Sequence, residues 1–246
     1  MTNFSLLVFI IVLTLFSEPS SLSFTILLVL SFSFQCVYFT FSSGSHSLIG
    51  LLVFVLYLLV TTFLSTSSLF IFFVTYELSL YPVCLLLLLF GYQPEKLQAS
   101  SWLLLYTVCC SVPLFMLAVR NMNSVSFGFS KLSVNSGFFV CLSFMVKSPL
   151  YTLHSWLPKA HVEAPLSGSM LLAGVILKLG GYGLLLCSPY LQQSSFIYIY
   201  LSLTGGVVCS LICCRCWDMK SLVAYSSVVH MGAVTLGALS GTELGF

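Results

Sequence analysis

Long apolar stretches alternate with short connections marked by polar residues, glycine or proline along the whole chain. There are nine such stretches of roughly 13 to 22 residues, and at about 20 residues per crossing they read as membrane helices. The pattern predicts helices over 4–16, 22–42, 48–64, 69–90, 100–119, 137–155, 166–186, 195–214 and 221–240. The first is short for a span. The Ser- and Asn-rich segment from Asn121 to Gly137 reads as a surface loop or a partly amphipathic piece. Runs such as Leu85 to Phe90 are apolar all round, which suits a buried or lipid-facing helix and not the alternation of a β-barrel strand. The expected fold is all-α, a polytopic transmembrane helical bundle forming a single domain over 1–246.

Composition sharpens this. Of 246 residues, 59% are hydrophobic and 6% charged, against about 25% charged in ordinary soluble domains, so a water-soluble globular fold is excluded. Eight Lys and Arg against six Asp and Glu give a net charge of +2. The cations are too scattered to form a basic face for phosphate backbones, which removes nucleic acid as a partner. Most of the ten cysteines (Cys84, Cys109, Cys110, Cys141, Cys187, Cys209) fall inside apolar runs and read as small hydrophobes. The cluster Cys213, Cys214, Cys216 has no histidine nearby and reads as packing, so no metal site is expected. No Lys or Arg precedes the first stretch, which therefore reads as a span and not as a signal peptide. Lys96, Lys159, Arg215 and Lys220 lie in even-numbered connections and Arg120 and Lys131 in odd-numbered ones, which puts the even connections on the inner side.

Three charges fall inside predicted helices: Glu77, Lys147 and Lys178. Glu77 is about 12 Å into its segment at 1.5 Å per residue, and Lys178 is also near mid-bilayer. A charge at a helix centre costs roughly 2.5 to 3.5 kcal/mol on insertion scales. Snorkelling, or an ion pair that only fixes packing, is the alternative for each. A short carboxylate cannot reach the interface from that depth, so a buried route for ions or protons is the stronger reading for Glu77 and Lys178. In Lys147-Ser148-Pro149 the proline removes a backbone donor and pushes Ser148 out of helical geometry. The helix should therefore break just after its lysine, a setting expected of transport sites.

Glycines at 174, 180, 181 and 183 surround Lys178 and allow close helix approach, whether for packing alone or for flexibility. Of the four histidines, His46 and His161 fall in connections and read as solvated, and His154 at a helix end. His230 sits ten residues into the last apolar segment, either as a proton relay or as a satisfied core histidine.

The block Phe144-Met145-Val146-Lys147-Ser148-Pro149 through His154-Ser155-Trp156-Leu157-Pro158-Lys159-Ala160-His161-Val162-Glu163-Ala164-Pro165 resembles the antiporter-like chain 4 family of mitochondrial NADH:ubiquinone oxidoreductase, complex I. So do Gly168-Ser169-Met170, Leu177-Lys178-Leu179-Gly180-Gly181-Tyr182-Gly183, Tyr76-Glu77, Gly91-Tyr92-Gln93-Pro94-Glu95-Lys96-Leu97-Gln98 and the run from Asp218 to Gly232. The resemblance is specific over about 70–240.

It implies a proton-pumping subunit of the membrane arm in the mitochondrial inner membrane, with other membrane-arm subunits and the lipid bilayer as partners. NADH, flavin, iron–sulfur clusters and ubiquinone would belong to other subunits, with no cofactor in this chain. By motif, Glu77 is the glutamate of a Glu/Lys pair, Lys147 its partner, Lys178 the central lysine and His230 a relay histidine. The family has two inverted five-helix repeats. Here 48–186 would be the first and 195–246 the start of the second, so the chain is expected to be truncated, or completed by a second polypeptide. A stand-alone cation/proton antiporter and a purely structural membrane subunit are the alternatives.

Overall fold

In a computed structural model the described residues are 47–66, 68–91, 94–120, 134–188 and 195–240, and their regular structure is all helical. The expected helices at 4–16 and 22–42, and His46, Lys131 and Glu243, lie outside them. The helices are α1 (Ser47–Ser65), α2 (Leu69–Leu78), α3 (Leu80–Phe90), α4 (Lys96–Arg120), α5 (Val134–Lys147), α6 (Trp156–Glu163), α7 (Leu166–Leu171), α8 (Leu177–Cys187), α9 (Ser195–Arg215) and α10 (Met219–Ser240). A 3₁₀ turn, Tyr151–Leu153, follows α5, and a π-helical turn, Leu172–Ile176, joins α7 to α8. Among the described residues six helical stretches are long and apolar enough to cross a membrane: Leu48–Ser65, Leu69–Phe90, Lys96–Arg120, Gly168–Cys187, Phe196–Arg215 and Met219–Ser240. The protein is a polytopic helical membrane bundle.

Three of the expected helices are broken. Ser79 separates α2 from α3, because Pro82 has no N–H to offer the carbonyl one turn before it. α5 ends at Lys147, eight residues earlier than the apolar run suggests, because Pro149 stops it. The π turn interrupts the third, two residues before Lys178.

The break after Lys147 keeps its hydrogen bonds. Leu150 N–H donates to Met145 O at 3.1 Å in place of the donor Pro149 lacks, and the Trp156 indole N–H donates to Val146 O at 3.1 Å. Trp156 opens α6, a helix in what the sequence suggests is a loop. Its apolar positions Trp156, Leu157 and Ala160 are buried, the spacing of one helix face.

Outward positions such as Leu105 (60% exposed), Met116 (64%), Phe196 (74%) and Leu211 (66%) are large and apolar, as lipid-facing surface should be. The core is aromatic around α1, α2 and α5. Phe63 stacks on Phe72 at 4.4 Å, and the Phe144 ring meets the Tyr76 ring edge-on at 5.4 Å. Glycines bring α8 against this group: a Cβ on Gly183 would collide with the Phe144 ring, and one on Gly180 would lie 2.8 Å from Ser148 N.

Candidate proton-transfer site

Lys147 is buried, 1% exposed, at the C-terminal end of α5. A helix C-terminus favours a cation, yet the side chain turns across to α2. Its ammonium donates to Tyr76 O and lies 3.2 Å from the centroid of the Tyr76 ring. Tyr76 O lies three residues before the break at Ser79 and also accepts from Ser79 Oγ at 2.7 Å.

Glu77, the next residue, is close enough to Lys147 for their charges to interact, but it forms no direct ion pair with it. Oε1 of Glu77 is buried and has no hydrogen-bond partner. Ser111 of α4 faces the Glu77 carboxyl group, and its hydroxyl also donates to Val108 O at 3.0 Å. The structure thus brings Glu77 and Lys147 together across two helix breaks, with the carboxylate short of a partner and the ammonium held on its neighbour.

Lys178 and His230 are not interior residues of the described fold; both positions are exposed. Depth along an apolar run does not say which way a residue faces. On α8 the inward positions are Leu177, Gly180, Gly181, Leu184 and Cys187, where glycine permits the close approach to α5 and α10, so Lys178 falls on the opposite flank.

The two residues nevertheless share a surface. Lys220 Nζ donates to Val162 O at 3.0 Å and to Ala164 O at 3.3 Å, which sets the start of α10 beside the start of α7. Further along, a Cβ on Gly181 would lie 3.6 Å from Val234 and 3.8 Å from Met231. The helices therefore run parallel. Counting back one turn from that contact at about 100° per residue puts Lys178 and His230 at one level, on the same side of the α8–α10 seam.

His161 is a residue that sequence reasoning missed. It is 3% exposed on α6, and its Nε2 has no hydrogen-bond partner. Burial pushes its imidazole down from 6.5 to about 4, so the ring is neutral near pH 7. The signal was its place on the face of Trp156, Leu157 and Ala160. His154 is half-buried, its Nδ1 against Tyr151 O and its ring stacked on Tyr151 at 5.2 Å.

Glu95, Lys159 and Glu163 line a cavity of about 240 Å³ with Gln98, Ser221 and Tyr225 at the end of the bundle where Lys220 docks. The Glu163 carboxyl is pushed up by burial and by Glu95, against the pull of Lys220. The charged connections holding Lys96, Lys159 and Lys220 thus share one end, as the charge pattern implies. Among the described residues no group of three His, Cys, Asp or Glu side chains is placed to share a metal ion.

A bundle with facing broken helices, a buried lysine at one break and a glutamate at the other has the architecture of an antiporter-like membrane subunit. The chain belongs to the family described as NADH:quinone oxidoreductase/Mrp antiporter, transmembrane, which it matches over residues 66–246. It is 47% identical over 193 residues to NADH-ubiquinone oxidoreductase chain 4 of Ceratitis capitata, covering 74% of this chain and 43% of that one. The chain 4 protein of Artemia franciscana is 44% identical over 226 residues, covering 87% and 57%. Among solved structures, a chain of respiratory complex I from Thermus thermophilus with bound NADH superposes with a TM-score of 0.72 at 25% identity, covering 89% of this chain and 49% of that one. The chain spans about half the length of the curated relatives it matches.

Proposed function

We propose that this chain acts as a proton-translocating subunit in the membrane arm of complex I, in the mitochondrial inner membrane. It would be part of an NADH:ubiquinone reductase whose redox chemistry runs in other subunits. The observation that carries this reading is a fully buried lysine, Lys147, at a helix break beside a carboxylate, Glu77, that has a buried oxygen without a partner.

In the proposed cycle the Glu77 carboxylate stabilises protonated Lys147. When the two separate, a buried ammonium without a counter-charge favours its neutral form, and the proton passes towards Lys178 and then His230. At an effective dielectric of about 20, a pair at about 4 Å is worth roughly 4 kcal/mol before desolvation, or about three pH units, enough to switch a lysine between holding and releasing a proton. The driving energy comes from outside this chain. Lys178 and His230 face outward at membrane depth, where an ionisable group requires protein or a hydrated cavity. That supports cover by further helices, from a longer gene product, a second polypeptide or another membrane-arm subunit.

Comparing Glu77→Gln with Glu95→Gln in the assembled complex tests the role of the carboxylate. Glu95 lines a cavity at the bundle's end, so its substitution leaves protons pumped per NADH oxidised nearly unchanged, whereas Glu77→Gln lowers that ratio. Equal effects per assembled complex would remove the assignment.

A further inference from the structure

We infer that Tyr76 is the positioning residue that holds the Lys147 ammonium after it leaves Glu77 and before its proton passes on, through its ring face and its backbone carbonyl. The inference rests on the proposed proton-transfer role of Lys147. Three observations make the cradle specific. The ammonium is 3.2 Å from the ring centroid and donates to the carbonyl of the same residue. The Tyr76 hydroxyl donates to Ser143 O at 3.1 Å, one helical turn before Lys147, so the ring is tied to the helix whose lysine it receives. The ring is fully buried, with Phe63 stacked at 5.9 Å and Phe144 edge-on at 5.4 Å, which fixes its plane and keeps its face against the lysine.

Tyr76 and Glu77 are consecutive on α2, so one small movement of α2 against α5 transfers the ammonium from one to the other. The carboxylate and the aromatic cradle then compete for a single cation. The buried, unpartnered Oε1 of Glu77 identifies the arrangement seen here as the one in which Tyr76 holds it. The titratable groups facing the cradle are Glu77 on α2 and Cys187 on α8. α1 and α5 present the Phe63 and Phe144 rings to it.

The test is the pH profile of proton pumping by the assembled complex with Tyr76→Phe and Tyr76→Leu, normalised to the amount assembled. Loss of a desolvated cation–π contact destabilises the ammonium, so Tyr76→Leu shifts the alkaline limb to lower pH by about one unit. Tyr76→Phe keeps the π face and stays within about 0.3 unit of the parent. Should Tyr76→Leu fail to assemble, Tyr76→Met fills the space without a π face and makes the same comparison. An unshifted profile in the aliphatic variant, or equal shifts for Phe and Leu, overturns the inference. A residue that only packs would lower the assembled amount and leave the profile where it was. Glu77→Gln run in parallel separates the two claims: reduced pumping there with no shift in Tyr76→Leu sinks the cradle alone, and intact pumping in Glu77→Gln sinks the underlying role.

Discussion

Gly180→Ala adds one methyl group on the inner face of α8, directly opposite the break that ends α5. The new Cβ would lie 2.8 Å from Ser148 N and 3.2 Å from both the carbonyl carbon and the Cβ of Lys147. Ordinary contact is about 3.4 Å or more, so α8 and the Lys147-Ser148 backbone must separate by about 0.5 Å. The atoms met are mostly backbone, which no rotamer change can move aside. Overpacking of this kind costs about 1 to 3 kcal/mol, and alanine's helix propensity returns about 1 kcal/mol, leaving up to about 2 kcal/mol of destabilisation. The functional effect is the larger one, because the displaced group carries the lysine. A misplacement of about 1 Å can reduce a positioned reaction about a hundredfold, so half of that is expected to slow proton transfer about tenfold. The assay is pumping per assembled complex, with Gly206→Ala as control, since a Cβ there has nothing within 4 Å. Equal stability and equal pumping in the two variants would refute the claim that α8 holds Lys147 in place.

Other expectations follow from the same geometry. Lys178→Arg keeps a cation that does not release its proton, so pumping should stop, whereas Lys159→Arg retains a cation over the Trp102 ring, now at 4.5 Å, and should be nearly silent; pumping that survives Lys178→Arg would assign that lysine to packing. His161 is depressed to about 4 in the fold, so as pH falls from 6.5 towards 4 the unfolded chain takes up a proton that the folded chain refuses, and stability drops by up to about 3 kcal/mol. Thermal unfolding of the solubilised complex at pH 7.5 and pH 5 should therefore show a larger acid loss for the parent than for His161→Gln, and matching losses would mean that this ring does not set the acid limit.

Hydrophobic length made the spans from 48 onward legible, and Lys147-Ser148-Pro149 disclosed the break in α5, because proline chemistry is local. The break at Ser79 does not show in hydrophobic length, since the run from Leu80 to Phe90 is uniformly apolar and reads as one helix with the segment before it; only Pro82 marks it. α6 was hidden by its prolines and charges, and its face of Trp156, Leu157, Ala160 and His161 becomes evident only once the preceding helix is known to stop. Glu77 and Lys147 could be paired by motif, but the Tyr76 cradle depends on which ring and carbonyl of α2 the packing turns towards α5. Depth could be counted for Lys178 and His230, while direction could not, because facing depends on which neighbours the glycines admit.

The most direct test of the account is the number of protons pumped per NADH oxidised by the assembled complex carrying Lys147→Met. Methionine fills nearly the same buried volume without a charge or a titratable proton, so packing at the break is retained. The expected result is a lowered proton-to-electron ratio with normal assembly and continued NADH oxidation. A ratio equal to that of the parent would contradict it, because the buried lysine would then be holding helices together and moving no protons.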